Sequence, residues 1–316
     1  MRPPADPVAR WDSSYHAPVL VAEIMDLLSN ARRVLDGTLG GGGHSAALLE
    51  RGADVTGLDR DPEAIASAEV RLAEHEVAGR FRAFRGNFAS IDETVALTDQ
   101  TFDGILLDLG VSSHQIDAAE RGFTFREGAP LDMRMGGDGA FDASALLDSA
   151  DEAELARIFR EYADEPKAGR LAREIVRRRQ TRGFETSDDL VGAIRGALGA
   201  RSGPADFARL FQALRIAVND ELSGLERALP ALRDRLQVGG VLAIISYHSG
   251  EDRLVKHTFR EWSATCVCPP WMVQCQCRGR ALGELLTRKA IVASESETVR
   301  NPRARSARLR AWRSAP

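Results

Sequence analysis

A glycine cluster, Asp36-Gly-Thr-Leu-Gly-Gly-Gly-Gly-His44, is the first group of residues whose types and spacing suit chemistry. It follows a short apolar segment and precedes a helical pattern, which predicts a place at the carboxyl end of a strand, where open α/β sheets bind ligands. No lysine follows its last glycine and no G-x-G-x-x-G register fits, which argues against a P-loop and a dinucleotide site. An acid leading into a tight turn suits S-adenosylmethionine, which has a cationic amino-acid end and no phosphate. The alternative is an ordinary glycine-rich turn.

Two aspartates end neighbouring apolar segments. Asp59 comes 19 residues after Gly40, where its two oxygens can accept hydrogen bonds from both hydroxyls of a ribose. The alternative for Asp59 is an acid that caps a helix. Asp108 ends a second segment and leads into the hydroxyls of Ser112 and Ser113.

The loop that starts at Asp108 suits methyl transfer to a nucleobase amine. Such an amine is a weak nucleophile because its lone pair is delocalised into the ring. Asp108, Ser112 and Ser113 offer acceptors that can hold its hydrogens and turn the lone pair toward a methyl donor, which is catalysis by positioning. A plain strand-to-loop junction is the alternative interpretation of this segment.

The elements that must position these residues alternate between strand and helix. Apolar segments at 33–35, 55–58, 81–84 and 104–107 predict four buried parallel strands with helices between them, including a helix capped by Ser90. From about 117 to 209 the pattern is helical with no convincing strand, and a helix over 210–236 leads to a strand at 238–245. We therefore expect a methyltransferase domain of residues 1–116 and 210–316, interrupted by a helical substrate-recognition domain of residues 117–209.

Several motifs match one known family across nearly the whole chain. They are Tyr15-His-Ala-Pro-Val-Leu20, Asp36 to Ser45, Leu58-Asp-Arg-Asp-Pro62, Asp103 to Gln115, Arg121-Gly-Phe-Thr-Phe125, Pro130-Leu-Asp-Met-Arg-Met135, Phe211-Gln-Ala-Leu-Arg-Ile216, Ser246-Tyr-His-Ser-Gly-Glu-Asp-Arg253 and Asn301-Pro-Arg-Ala-Arg305. Together they closely resemble the bacterial ribosomal small-subunit RNA cytosine-N4 methyltransferase family. The resemblance implies a class I, Rossmann-like α/β fold and methylation of the N4 amine of a decoding-centre cytosine, cytosine 1402, in 16S rRNA.

The resemblance also implies a set of contacts to S-adenosylmethionine. The residues are Gly42, Gly43, His44, Asp59, Phe88, Asp108 and Gln115, and no metal is expected in this site. The sequence departs from the family pattern at Tyr247 and Gly250, where the family favours Phe and Leu. The Asp108 loop has no aromatic residue to stack on the target base, so Phe123, Phe125 and Tyr247 remain candidates for that role.

Charge and cysteine patterns add further expectations. Arg170, Arg173 and Arg177 share one helix face and suit RNA phosphates, although a solvated helix face is the alternative. Asp132 and Arg134 suit an interdomain ion pair or a phosphate contact, and His248 suits a structural role or a substrate contact. The four cysteines, Cys266, Cys268, Cys275 and Cys277, suit a structural zinc site, reduced thiols or a local disulfide.

Composition places limits on the function. The chain has 316 residues, 44% of them hydrophobic, and a net charge of −4. It shows neither a secretory signal nor an apolar stretch that could cross a bilayer, so we expect a cytoplasmic protein with no membrane partner. The expected partner is 16S rRNA in a small ribosomal subunit or its precursor; the oligomeric state stays open. A DNA or other nucleobase amino-methyltransferase and a non-catalytic RNA-binding assembly factor are the alternatives.

Overall fold

The computed structural model describes residues 9–12, 17–136, 141–272 and 274–315. The chain divides into two compact units: Met1–Gly110 with Leu222–Pro316, called here the first unit, and Val111–Glu221, called the second unit. The second unit begins before residue 117 and ends after residue 209. The functional domain limits of 1–116, 117–209 and 210–316 therefore stay a prediction.

The first unit is built on one sheet. In the described residues it has seven strands in the order β3-β2-β1-β4-β5-β7-β6. Their bounds are β1 Arg33–Asp36, β2 Asp54–Asp59, β3 Phe81–Arg85, β4 Phe102–Asp108, β5 Leu236–Ser246, β6 Gly283–Leu285 and β7 Arg308–Ser314. β1 to β5 run parallel, and β7 pairs antiparallel with β5 and with β6. The mostly parallel α/β fold predicted from the alternating segments is confirmed.

Helices follow the chain order through both units. Their bounds are α1 Val21–Leu27, α2 Gly43–Glu50, α3 Pro62–Val77, α4 Ser113–Asp117, α5 Ala143–Ser149, α6 Glu152–Ala163, α7 Ala168–Arg179, α8 Ser187–Leu198, α9 Pro204–Val218, α10 Glu221–Asp234, α11 Ser249–Trp262 and α12 Glu295–Arg300. Within the described residues, none of the helices has the length and apolar character that a bilayer crossing needs.

Local sequence signals explain where α3 begins. The Asp61 side chain accepts a hydrogen bond from the Glu63 amide at 3.1 Å, and Pro62 occupies the first helical position, where it needs no amide donor. The strands before α3 have apolar sequences because side chains on both faces of the sheet are buried. Leu35 and Leu58, for example, are fully buried.

The second unit has its own helical core. Leu155 and Phe159 of α6 and Leu171 and Ile175 of α7 are all buried in one cluster with residues of α8 and α9. These are the apolar positions that recur at helical spacing in the sequence. The unit therefore buries hydrophobic surface within itself, as an independent domain does.

Two predicted helices differ from the structure. Between β3 and β4 the described chain forms short 3-10 helices, and Ser90 lies inside one of them with non-helical dihedral angles; Asn87 caps it instead. The predicted helix over 210–236 is two helices, α9 and α10. They separate at Asp220, whose φ of 51° is left-handed and incompatible with a continuous α-helix.

Candidate active site

The glycine loop after β1 is shaped by its backbone. The amide of Gly37 donates to the Leu106 carbonyl at 2.9 Å. A Cβ at Gly37 would lie 2.5 Å from Leu107 Cδ2, so any larger residue would displace the Leu107 side chain. Gly40 and Gly42 adopt φ values of 51° and 73°, which favour glycine. This sequence is glycine-rich because the turn between β1 and α2 is tight.

Asp36 holds the start of this loop by hydrogen bonds. Its carboxylate is buried and accepts hydrogen bonds from Ser45 Oγ at 2.7 Å and from the Thr38 amide at 3.3 Å. Burial raises the pKa of Asp36, while the nearby His44 opposes that change. Ser45 and Thr38 lie within the motif Asp36 to Ser45, but the sequence alone assigns a role to neither of them.

Asp59, at the end of β2, contacts the glycine loop at Gly40. Its Oδ2 accepts from the Gly40 amide at 2.8 Å and its Oδ1 from the Asp61 amide at 2.9 Å. Each carboxylate oxygen has a further lone pair, so these bonds orient the carboxylate and leave capacity for two more donors. Burial raises the pKa of Asp59 to about 6.

Asp108 stands at the end of β4, next to the glycine loop. Its amide donates to Thr38 Oγ1 at 2.6 Å, and its Oδ1 accepts from the Tyr247 hydroxyl at 2.8 Å. His44 Nδ1 lies 3.8 Å from Asp108 Oδ2, and His44 Nε2 lies 2.8 Å from the Val19 carbonyl. Since a carbonyl can only accept, His44 carries a hydrogen on Nε2.

Tyr247 has a defined place in this arrangement. Burial, followed by the charge of Asp108, raises the pKa of Tyr247 well above its ordinary value, so its hydroxyl stays protonated and donates. The sequence presents Tyr247 as a departure from the family pattern and as a stacking candidate, and neither interpretation predicts its hydrogen bond to Asp108. The signal that could have revealed its contact is the pairing of β4 with β5, because residues that follow adjacent strand ends meet.

Phe88 also lies beside the loop. It begins a 3-10 helix capped by Asn87, packs half-buried against the core, and its Cβ is 3.6 Å from where a Gly37 Cβ would be. The first unit thus brings Phe88 and Asp108 to the loop that holds Gly42, Gly43 and His44. Their contact with a cofactor stays a prediction.

Ser112, Ser113 and Gln115 belong to the second unit. Ser112 Oγ accepts from the Gln115 amide at 3.1 Å, and Gln115 Oε1 accepts from the Ser112 amide at 3.0 Å, which forms a capping box at the start of α4. This reciprocal pair fixes the beginning of α4. Roles for the two serines in catalysis and for Gln115 in cofactor binding remain predictions.

Three other candidates have partners within their own units. His248 caps α11, because its Nδ1 accepts from the Glu251 amide at 3.4 Å; a substrate contact by His248 stays a prediction. Asp132 and Arg134 pair with each other through two hydrogen bonds of 2.8 and 2.7 Å. Burial alone would raise the pKa of Asp132, but the hydrogen bonds and charge of Arg134 bring that pKa below its ordinary value.

The aromatic candidates of the second unit lie close to its core. Phe123 is half-buried against the helical core. Phe125 packs edge-on against Phe207 and Phe211, with ring centroids 5.9 and 6.0 Å away, and stays 37% exposed. Phe123 and Phe125 both stay candidates, with Tyr247, for stacking on the target base.

The first unit fits S-adenosylmethionine. Asp59 retains acceptor capacity. Among the described residues, apart from the two chain neighbours of Gly40, the heavy atom nearest to a Cβ at Gly40 would be the Thr38 carbonyl oxygen at 3.9 Å, so these residues leave the loop backbone open on that side. A sheet in this order with β7 antiparallel, a glycine loop after β1 and an acid ending β2 define the class I S-adenosylmethionine-dependent methyltransferases.

Comparison with known proteins gives the family. The sequence matches the MraW methylase family over residues 13–315, and the chain belongs to that family. It is 68% identical over 302 residues to "Ribosomal RNA small subunit methyltransferase H" of Gemmatimonas aurantiaca, covering 96% of each chain. It is 48% identical to the protein of the same name in Heliobacterium modesticaldum, covering 94% of this chain and 97% of that one. The structure of an rRNA methylase from Streptococcus thermophilus aligns with a TM-score of 0.42 at 10% identity, covering 94% of each chain.

Proposed function

We propose that this enzyme transfers a methyl group from S-adenosylmethionine to the N4 amine of cytosine 1402 in the 16S rRNA of the small ribosomal subunit or its precursor. The observation that carries the proposal is the oriented carboxylate of Asp108, held by Tyr247 at 2.8 Å beside the glycine loop. Family membership and the relatives named as small-subunit rRNA methyltransferases support the choice of substrate.

Asp108 performs the positioning that an amine substrate requires. The bound cofactor supplies an electrophilic methyl group on a positively charged sulfur. The carboxylate accepts a hydrogen of the cytosine amine, which aligns the lone pair and stabilises the positive charge that develops on N4. Tyr247 fixes the carboxylate in that orientation. Water can remove the proton after transfer, so the site needs no strong general base.

Ser112 and Ser113 complete the proposed catalytic set. They follow Asp108 within five residues of the sequence, Ser112 as the N-cap and Ser113 as the first residue of α4. The base must leave its stack to reach them, at a cost of a few kcal/mol that loop contacts offset. Gly42, Gly43, His44, Asp59, Phe88, Asp108 and Gln115 are the proposed cofactor contacts, and the enzyme works in the cytoplasm, where its substrate is assembled.

Helix α7 supports an RNA substrate. Arg170 and Arg173 are exposed on it, and phosphate neutralisation contributes strongly to RNA binding. Arg177 is more constrained, because it donates to Glu174 Oε2 and Oε1 at 2.9 and 2.8 Å. Together with Arg178 it lowers the pKa of Glu174 to about 2, which keeps that carboxylate charged. Arg173 Nε donates to the Gly169 carbonyl at 3.2 Å and lies 3.7 Å from Glu152 Oε1, but that ion pair joins two exposed side chains and is weak. The phosphate-binding proposal for α7 therefore rests on Arg170 and Arg173.

The proposed substrate is tested by mapping modified nucleosides. 16S rRNA from cells with and without this protein is digested and analysed by mass spectrometry. We expect N4-methylation of cytosine 1402 only when the protein is present, with restoration by the wild-type chain and not by Asp108→Ala. An unchanged 16S rRNA together with altered cytosine methylation in DNA would favour the DNA methyltransferase alternative.

A further inference from the structure

The four cysteines form a tight cluster between α11 and β6. Their Sγ atoms all lie within 4.8 Å of one another. Four separations are 3.7 Å (Cys266 to Cys275), 3.9 Å (Cys268 to Cys275), 3.5 Å (Cys275 to Cys277) and 3.9 Å (Cys266 to Cys277). Four sulfurs arranged tetrahedrally about zinc at a Zn–S distance of about 2.3 Å are about 3.8 Å apart. The cluster therefore has the dimensions of a tetrathiolate metal site.

The backbone around the sulfurs is arranged in two equivalent arms. The amide of Val267, between the first pair of cysteines, points at Cys277 Sγ at 3.3 Å, and the amide of Gln276, between the second pair, points at Cys268 Sγ at 3.4 Å. Amide donors stabilise thiolates, which are the metal-binding form of cysteine.

The segment that carries the cluster has no core of its own. Among the described residues 263–272 and 274–282, none is buried, and Trp271 between the two arms is 77% exposed. A segment of this length without regular structure needs another source of order, and small folds without a core commonly obtain it from a metal or a disulfide. A disulfide requires sulfurs about 2.05 Å apart. All four cysteines are free at the separations given above.

We propose that Cys266, Cys268, Cys275 and Cys277 bind one zinc ion in a closed structural site. Four thiolates fill the coordination sphere, so no position remains for water or substrate and the ion takes no part in methyl transfer. The ion joins the two arms and orders the segment between α11 and β6. This assignment resolves the three alternatives that the cysteine spacing left open and is independent of the proposed methylation.

Metal content of the full-length protein tests the proposal. Purified under reducing conditions without chelators, it should contain about one zinc per chain, released as a thiol-specific mercurial titrates four thiols. After exchange into cobalt(II), we expect the intense visible bands and the sulfur-to-cobalt charge transfer of tetrahedral thiolate ligation. All four cysteines of the chain lie in this cluster, so the charge transfer has one possible source.

Variants separate the site from its surroundings. Cys268→Ser combined with Cys277→Ser should lower bound zinc at least tenfold and abolish the cobalt bands, whereas the control Gln274→Ser should keep both. Binding of S-adenosylmethionine, which uses the glycine loop, should persist in all of them and shows that the variants are folded. Reduced wild-type protein with four free thiols that binds no added zinc would overturn the proposal. A native mass showing two disulfides, or a cobalt spectrum unchanged in the double cysteine variant, would do the same.

Discussion

At the residue scale, the carboxylate of Asp108 is the centre of the proposed chemistry because the fold orients it from two directions. The backbone amide of Asp108 donates a hydrogen bond to Thr38 Oγ1, and the Tyr247 hydroxyl donates one to the Asp108 carboxylate. A side chain held in this way loses little freedom when an amine binds, which is how positioning lowers a barrier. Tyr247 acts through Asp108 and is a positioning residue in this account.

Substitutions at Asp108 and Tyr247 should therefore differ in severity. We expect Asp108→Ala to lower the single-turnover rate about 10²- to 10³-fold, the range for removing an oriented polar group from a catalytic site. Tyr247→Phe removes one hydrogen bond and should cost about 5- to 10-fold in rate, or ~1 kcal/mol. Both rates are measured at saturating cofactor and RNA.

Tyr162→Phe is the matched control for Tyr247, because its hydroxyl contacts Arg157 at 3.3 Å in the second unit. It should keep the parental rate. A parental single-turnover rate in Asp108→Ala would assign the chemistry to other residues, with 246–249 as the next candidates. A rate loss in Tyr247→Phe explained entirely by weaker RNA binding would remove its positioning role.

Asp59 should make cofactor binding depend on pH. Its pKa in the free protein is about 6, above the ordinary value of 3.8, so burial disfavours the charged form. The resulting cost to folding is present above pH 6 and disappears as pH falls toward 3.8. The ionised carboxylate of Asp59 accepts hydrogen bonds from two ribose hydroxyls more strongly than the protonated carboxyl does. Affinity for S-adenosylmethionine should thus weaken as pH falls through 6, by up to about tenfold per pH unit.

Calorimetry of the wild type and Asp59→Asn checks this expectation. At pH 7.5 the variant should bind the cofactor more weakly by about 1–3 kcal/mol, the value of a charge-assisted hydrogen bond. Its affinity should change little between pH 7.5 and 5. Equal affinities of variant and parent at pH 7.5 would contradict the assignment of Asp59.

At the element scale, most of the sheet could be predicted because each strand is a short apolar segment next to a turn signal. The Asp61-Pro62 start of α3 is a local signal of the same kind. The 3-10 helices at 88–97 escaped prediction because Ser90 looks like a cap in sequence, and only the backbone reveals that Asn87 takes that role. β6 has three residues, too few for a periodicity, and forms only by pairing with β7.

The site was predictable to the same degree. Asp36, Asp59 and Asp108 end strands, and strand ends of a parallel sheet meet at one edge, so their proximity follows from topology. The bond between Tyr247 and Asp108 joins residues 139 positions apart and depends on side-chain orientation, which no local pattern encodes. The ion pair between Arg177 and Glu174 likewise could not be predicted from the number of basic residues in this segment.

Because Arg177 is paired with Glu174, the prediction for RNA binding by helix α7 concerns Arg170 and Arg173 alone. Arg170→Glu combined with Arg173→Glu should weaken 16S rRNA binding at least tenfold at physiological salt and reduce the salt dependence of affinity. Cofactor affinity should stay unchanged. The charge-matched control is Arg82→Glu with Arg260→Glu, two exposed positions of the first unit. If both double variants bind RNA alike with equal salt slopes, α7 is a solvated face.

At the scale of the whole molecule, the second unit should fold by itself. Its core is formed by its own residues, from Leu131 to Leu214. We expect a fragment of residues 111–221 to be helical by circular dichroism and to unfold cooperatively, which would support the proposed insertion of a helical domain. As a control, the same fragment with Phe159→Ala should lose about 3–5 kcal/mol of stability or fail to fold. A wild-type fragment without cooperative unfolding would contradict an independent domain.

The central claim is that this chain places a methyl group on one nitrogen of one nucleotide. Small ribosomal subunits from cells lacking the protein are incubated with the purified enzyme and S-adenosylmethionine bearing a deuterated methyl group. The 16S rRNA is then cut into fragments and sequenced by mass spectrometry. The account predicts a single labelled methyl on N4 of cytosine 1402, absent with Asp108→Ala. A label on another atom or nucleotide, or equal labelling by the Asp108→Ala variant, would contradict it.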